Sequence, residues 1–85
     1  MKLLTQEEGA LLKPGDVVNV YWFSPRKPKG EEPPSREWDG RQEWVDTVWR
    51  NEVIEEGPWE TTQDGLGVKL RGRPLTFCVN RMEKL

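Results

Sequence analysis

Apolar and polar residues alternate with a period of two over several short stretches of this chain, the pattern of half-buried β-strands. The clearest stretch, residues 17–23 (VVNVYWF), is rich in the β-branched and aromatic residues that favour strands. The face predicted to pack on the core carries Val18, Val20 and Trp22. The opposite face carries Val17, Asn19, Tyr21 and Phe23. Because this second face includes an asparagine, we predict that it is the wetter one.

A second alternating stretch, residues 43–54 (EWVDTVWRNEVI), predicts a strand too long to stay straight in a small domain. The face predicted to point inward carries Val45, Thr47, Trp49, Asn51 and Val53. The face predicted to meet water is rich in charge and carries Trp44, Asp46, Val48, Arg50 and Glu52. We therefore expect Trp49 in the core and Trp44 at the surface.

Shorter elements flank these two strands. Residues 5–8 (TQEE) have the sequence of a helix capping box, which predicts a helical turn over residues 6–12 within an N-terminal segment, residues 1–15. Pro14 ends this turn because proline cannot continue a helix. Further strands are predicted over residues 59–62, 67–70 and 75–79. Turns are predicted before these strands at residues 57–58, between them at residues 64–65 and 71–74, and after them at residues 80–85.

Prolines interrupt the chain after the first strand. Residues 24–36 contain four prolines, a density that predicts a loop and excludes a regular helix or strand. Asp39-Gly40 is a signal for a tight hairpin that would pair residues 36–38 with residues 41–43. We treat residues 24–42 as one long loop, since such loops in compact domains are usually functional or disordered.

Five short strands joined by tight turns predict a single all-β domain over residues 1–85, folded as a small antiparallel barrel. The stretch KPGDVVNVYW, in which residues 14–22 carry the match, and the later strand EWVDTVW resemble SH3-like barrels such as Tudor, Agenet and KOW-type modules. In these modules a Gly-Asp turn leads into the first strand. The resemblance implies a five-stranded SH3-like barrel. Only part of a methyl-lysine-reading aromatic cage, and no glycine-centred KOW loop, is identified in the sequence.

Composition narrows the class of protein further. The 13 basic and 15 acidic residues give a net charge of −2 and a pI of about 5.2, unlike the basic balance of typical nucleic-acid binders. The single cysteine, Cys78, excludes an intramolecular disulfide and favours a reducing, cytoplasmic compartment. Its place on a strand predicts a small, partly buried side chain. No apolar run is long enough for a signal peptide or a membrane span.

Catalysis is poorly supported by the residues present. The chain has no histidine, which removes the commonest general base and metal ligand. One cysteine cannot form a cysteine-based zinc site, and no phosphate-binding glycine motif occurs. A carboxylate pair among Glu37, Asp39 and Glu43 would need a pocket that small barrels rarely provide. We predict neither an enzyme, nor a cofactor, nor a metal site.

Exposed aromatic residues are the stronger candidates for function, because such patches mark binding sites. The residues predicted to contact a partner, on outward or loop positions, are Tyr21, Phe23, Trp38 and Trp44. The alternative is that the long loop covers them as part of the core. A second candidate set, two basic turns that could follow a phosphate backbone, comprises Arg26, Lys27, Lys29, Arg71 and Arg73. The alternative for these charges is that they keep a small domain soluble.

These patterns predict a non-enzymatic binding module that contacts a protein partner through its aromatic face and regulates a larger assembly. The alternative is a nucleic-acid-binding barrel that uses the two basic turns and stacking tryptophans. Binding to phosphates would weaken steeply as salt rises, whereas an aromatic protein interface would change little. We expect a monomer or a weak homodimer in which the exposed aromatic residues cover one another.

Overall fold

The computed structural model describes residues 2–27, 34–61 and 65–85. A short helix, α1 (Gln6–Gly9), precedes the strands, and a 3₁₀ turn (Val79–Arg81) precedes the last one. The strands are β1 (Val17–Ser24), β2 (Arg36–Trp38), β3 (Arg41–Glu60), β4 (Leu66–Leu70), β5 (Thr76–Cys78) and β6 (Met82–Lys84). No helix in these three ranges is long and apolar enough to cross a membrane.

The strands form one antiparallel sheet in the order β5-β4-β3-β1-β6, with β2 paired to β3 beside this path. The predicted all-β, antiparallel architecture is confirmed. Six strands occur where five were expected, and the sheet is not closed. Two of the predicted strands are joined in β3, and two strands are additional: β2, expected only as part of a hairpin within the long loop, and β6, predicted only as a turn. Met82 of β6 pairs with Val20 of β1 and is fully buried. Burial of this side chain brings the last residues of the chain back against the first strand.

Strand β3 is a single element of 20 residues, where two strands separated by a turn at Gly57-Pro58 were predicted. That prediction was wrong, because the chain passes this point with register shifts against β4 instead of reversing direction. Gly57 has a φ of +110°, and a Cβ there would lie 3.1 Å from the Cα of Val68. Glycine thus permits the close approach that keeps β3 and β4 paired. Residue 62, the predicted end of the second strand, lies outside the described ranges, as does Asp64.

Two further register shifts, between β1 and β3, change which side chains share a face. The first lies between the pairs Val18–Glu52 and Val20–Trp49, and the second between Trp22–Thr47 and Phe23–Val45. Each gives β3 one extra residue, so the strict alternation predicted along β3 is wrong. Directly paired residues lie on the same face of a sheet. Trp49 and Glu52 therefore share a face despite being three residues apart.

The core lies on the face of β1 that carries Val18 and Val20, both almost completely buried. Trp22 and Trp49 pack against it, as predicted. The rest of the buried cluster consists of Leu12, Ile54, Val68, Leu70, Phe77, Val79 and Met82. On the opposite face Asn19 is also buried, at 6% exposure, so the prediction of a wetter face was wrong at this position. The reason is β6, which pairs Glu83 with Asn19 and covers this part of β1.

Two local predictions are confirmed at the ends of elements. The Thr5 hydroxyl accepts a hydrogen bond from the backbone N–H of Glu8, and the Glu8 carboxylate accepts one from Thr5, both at 3.1 Å. The helix nevertheless ends at Gly9, earlier than predicted. Asp39 and Gly40, with φ values of 50° and 73°, form the tight turn that pairs β2 with the start of β3.

Candidate aromatic groove

A largely apolar groove of about 690 Å³ lies between strands β1 and β3 and the segment that leads from β4 into β5. Strand β1 contributes Trp22 and Phe23, and β3 contributes Asp46, Thr47 and Trp49. The other wall is formed by residues 72–75, which connect β4 to β5, and by Phe77 of β5. Leu75 stands at this wall with 66% of its surface exposed. Grooves with this apolar lining are the usual sites of ligand or partner binding.

Three aromatic rings, those of Trp22, Trp49 and Phe77, form the floor of the groove. Their centroids are 5.1 to 5.9 Å apart and the rings meet edge to face. This arrangement is the favoured one for aromatic pairs. The Nε1 atom of Trp22 is buried and makes no hydrogen bond in the structure. Such a group costs free energy, which fits a functional site better than an optimised core.

Arg73 closes one side of the groove over Trp49. Its guanidinium carbon lies 3.4 Å from the centroid of the Trp49 ring, and its Nε donates to the carboxylate of Glu52. The side chains of Arg73 and Glu52 are 34% and 19% exposed. Arg73 is held on the turn after β4, where its backbone N–H donates to Leu70. The three rings are in direct contact, and Arg73 covers a face of Trp49. The cluster is therefore a continuous aromatic surface beneath a cation, and not an empty aromatic cage.

A second arginine makes the same type of contact elsewhere. The guanidinium of Arg36, on β2, lies 3.8 Å from the centroid of the Phe23 ring. Its Nε and Nη2 atoms both lie 2.7 Å from a single oxygen of Glu43. The side chains of Arg36 and Glu43 are 20% and 16% exposed, less than those of the first pair. Arg36 thus covers the ring of Phe23 on β1, as Arg73 covers the ring of Trp49 on β3.

The four aromatic residues predicted to contact a partner do not form one exposed face. Tyr21 is 8% exposed, and its hydroxyl donates to Glu83 at 2.8 Å, so its predicted outward position is wrong. Phe23 is half-buried and lines the groove. Trp44 is half-buried and pairs with Ser24 of β1. The side chain of Trp38 lies outside the part of the chain that the structure describes.

The predicted basic residues differ in their surroundings. Arg26, Lys27 and Arg71 are exposed, whereas Arg73 is engaged by Glu52 and Trp49. Lys29 lies outside the described ranges. The groove brings Arg73 together with Phe23, which belonged to the other predicted set. No group of three or more metal-ligating side chains is placed to hold an ion in the described ranges.

Sequence reasoning placed Trp22 and Trp49 correctly beside the core but missed that they also form the floor of a groove. Leu75 and Phe77 were predicted only as parts of the strand over residues 75–79. The available signal was the high content of large aromatic side chains, five tryptophans in 85 residues.

Two titrating groups near the β1–β6 edge have shifted pKa values. The backbone N–H of Lys2, followed by the hydroxyl of Tyr21, lowers the pKa of Glu83 below its ordinary value. Burial, followed by the bond to Glu83, raises the pKa of Tyr21. These contacts fix the N-terminal segment and β6 to β1, and they lie apart from the residues that line the groove.

No protein-family model matches the chain, and no curated protein or solved structure is significantly similar to it.

Proposed function

We propose that this chain is a small, non-enzymatic binding module that contacts a protein partner through the aromatic groove. The observation that carries the proposal is an apolar groove with an aromatic floor and an exposed leucine, Leu75, at its wall. Aromatic residues dominate the energetics of protein interfaces, and a central apolar patch with charge around it is their usual design. Asp46 and Arg73 supply charges of both signs among the lining residues.

The fold we propose for the module is an SH3-like barrel of the Tudor, Agenet or KOW type. Support comes from the antiparallel pairing of the last strand, β6, with the first strand, β1. The Pro14-Gly15-Asp16 turn adds support, because Gly15 has a φ of +95° and Asp16 accepts a hydrogen bond from Lys13 just before β1. A module of this size is suited to regulating a larger assembly. Its single cysteine fits a reducing compartment such as the cytoplasm.

Protein binding is preferred over nucleic-acid binding for two reasons. Stacking on bases needs free ring faces, and Arg73 and Arg36 lie over the faces of Trp49 and Phe23. Phosphate binding needs free cations, and both of these arginines are paired with glutamates. The exposed Arg26, Lys27 and Arg71 keep the second function open to test. An oligonucleotide titration at low salt, monitored through the indole N–H signals, should leave Trp22 and Trp49 unshifted.

The direct test compares two exposed leucines in pull-downs from the source cells. Leu75 stands at the groove, and Leu11, which is 80% exposed, lies just after α1 and is not a groove-lining residue. A protein retained by the wild type and by Leu11→Glu, but lost with Leu75→Glu, is the expected result. Equal retention by both variants would place the contact elsewhere and overturn the proposal.

A further inference from the structure

We propose that Trp49 and Glu52 form a binding site for an arginine side chain of the partner, and that Arg73 of this chain occupies that site in the free protein. This inference rests on the proposed function and names the group that the partner inserts into the groove. The partner would present an arginine beside apolar residues, and its guanidinium would replace that of Arg73.

The guanidinium that fills the site in the free protein indicates which ligand the site would take. A guanidinium is planar, stacks on indole faces and donates hydrogen bonds to carboxylates. Trp49 provides the ring face and Glu52 provides the carboxylate, and Arg73 uses both. The bulge between Trp49 and Glu52 places the two groups on one face of the sheet. The site is therefore already built for a guanidinium, whichever chain supplies it.

Displacement of Arg73 requires only a side-chain movement. Arg73 lies on the turn after β4 and not within a paired strand, and about one third of its side chain is exposed. The backbone bonds of this turn, from Arg71 to Val53 and from Arg73 to Leu70, do not involve the guanidinium. A rotamer change of Arg73 would uncover the ring of Trp49 while the turn stays in place.

Charge complementarity favours a basic replacement. Arg73 is the one cation among the lining residues that the structure describes, and Asp46 is the one carboxylate. When Arg73 swings out, Glu52 loses its partner and Asp46 remains at the wall. The carboxylates of Asp46, in the wall, and of Glu52 then lie near the aromatic floor. Arg81 is a further described cation near this floor, with its guanidinium carbon 5.6 Å from the centroid of the Trp22 ring. An acidic or neutral segment could not compensate these carboxylates, whereas an arginine pairs with Glu52 directly.

The test uses N-acetyl-L-arginine methylamide as the probe and follows the indole N–H signals by NMR. Arg73→Ala should bind the probe with a dissociation constant of about 1 mM, a strength typical of a single contact group. The wild type should bind about tenfold or more weakly, because its own arginine holds the site closed most of the time. The shifts should centre on Trp49 and Trp22.

Three controls make the result specific. N-acetyl-L-citrulline methylamide has nearly the same shape without the charge and should not bind. Arg36→Ala removes the matched arginine on Phe23 and should bind the probe no better than the wild type. Adding Glu52→Gln to Arg73→Ala should abolish the gain. Arg73→Lys keeps a cation and a long stem but loses the planar fork, so it should remain folded and bind with intermediate strength.

Saturable binding by Arg73→Ala or Arg73→Lys, absent with citrulline, supports the site. No saturable shift in either variant, or equal shifts with citrulline, would overturn it. If Arg73→Ala is unfolded, Arg73→Lys decides the question. Failure here leaves the comparison of Leu75→Glu with Leu11→Glu unaffected, so loss of this inference is distinguishable from loss of the proposed function.

Discussion

In the described part of the chain, Arg36 and Arg73 both lie over aromatic rings and pair with glutamates, and Arg73 lines the aromatic groove. Arg36 lies over Phe23, is held at two nitrogens by Glu43 and sits in the paired strand β2. Arg73 lies over Trp49, contacts Glu52 through Nε and sits on a turn. The same three chemical groups thus occur in two settings: one within a paired strand, and one on a turn, where we propose that the arginine can be displaced.

The difference comes from the elements that carry the arginines. A strand fixes its side chains through ladder hydrogen bonds on the backbone, whereas a turn residue relies on side-chain contacts. The ring beneath Arg73 also belongs to a cluster of three, which leaves aromatic surface to offer once the arginine moves. Loop-borne residues on a rigid scaffold are the usual place for binding groups.

The largest expected effect is a loss of stability that differs between the rings of Trp49 and Phe23. Trp49→Ala should lower the free energy of unfolding by about 3 kcal/mol, because it removes the centre of the aromatic floor as well as a core contact. Phe23→Ala should cost about 1 kcal/mol, since this ring is half-buried and lies under a single arginine. Urea denaturation monitored by far-ultraviolet circular dichroism measures both. Equal losses would mean that the two regions are structurally equivalent.

The next effect tests the bulge that brings Trp49 and Glu52 together. The Asn19 side-chain oxygen accepts a hydrogen bond of 3.1 Å from the backbone N–H of Asn51, which has a φ of 57°. Asn19→Ala should cost about 1–2 kcal/mol by leaving that N–H unpaired. Asn80→Ala is the matched control, because the buried oxygen of Asn80 has no partner and its removal should cost less. A greater loss for the control would contradict this role of Asn19.

Double-mutant cycles compare the two ion pairs directly. Coupling between Arg36 and Glu43 should be about 1 kcal/mol, and coupling between Arg73 and Glu52 about half of that. The reason is that the first pair is less exposed and uses two nitrogens. Both couplings should fall at high salt. A stronger coupling at Arg73 would argue against a cover that a partner can displace.

The smallest expected effect is a pH dependence of stability. It arises from Tyr21, on the face of β1 that also carries Phe23, and from Glu83, which accepts its hydrogen bond. The pKa of Glu83 is lowered in the folded protein, so its stabilising contribution is present above its ordinary value of 4.5 and is lost as pH falls through the folded pKa. The pKa of Tyr21 is raised, so its contribution is present below 10.0 and is lost as pH rises through the folded pKa. In a plot of stability against pH, Glu83→Gln should flatten the acid limb, where stability falls as pH falls. Tyr21→Phe should flatten the alkaline limb, where stability falls as pH rises.

Thermal melts across the pH range provide the measurement. Leu75→Glu serves as a control for Tyr21→Phe, since it alters the groove and should leave the alkaline limb unchanged. An alkaline limb that persists in Tyr21→Phe would show that another group controls it.

The sequence alone determined the local structure of this protein. Alternation identified β1, the capping box fixed the start of α1, and Asp39-Gly40 specified the hairpin of β2 and β3. It also placed Val18, Val20, Trp22 and Trp49 at the core. Each of these features depends on neighbours within a few residues, where propensity and sterics act directly.

Tertiary structure decided the faces, the extra strand and the groove. Bulges in β3 reversed the alternation between Trp49 and Glu52, and one extra residue in a ladder cannot be read from a period of two. β6 became a strand because Met82 is buried and pairs with Val20, which also buried Tyr21 and Asn19 against expectation. The pairing of Arg73 with Glu52 joins residues 21 positions apart. Such contacts follow from packing of the whole chain, and they determine where the aromatic groove lies.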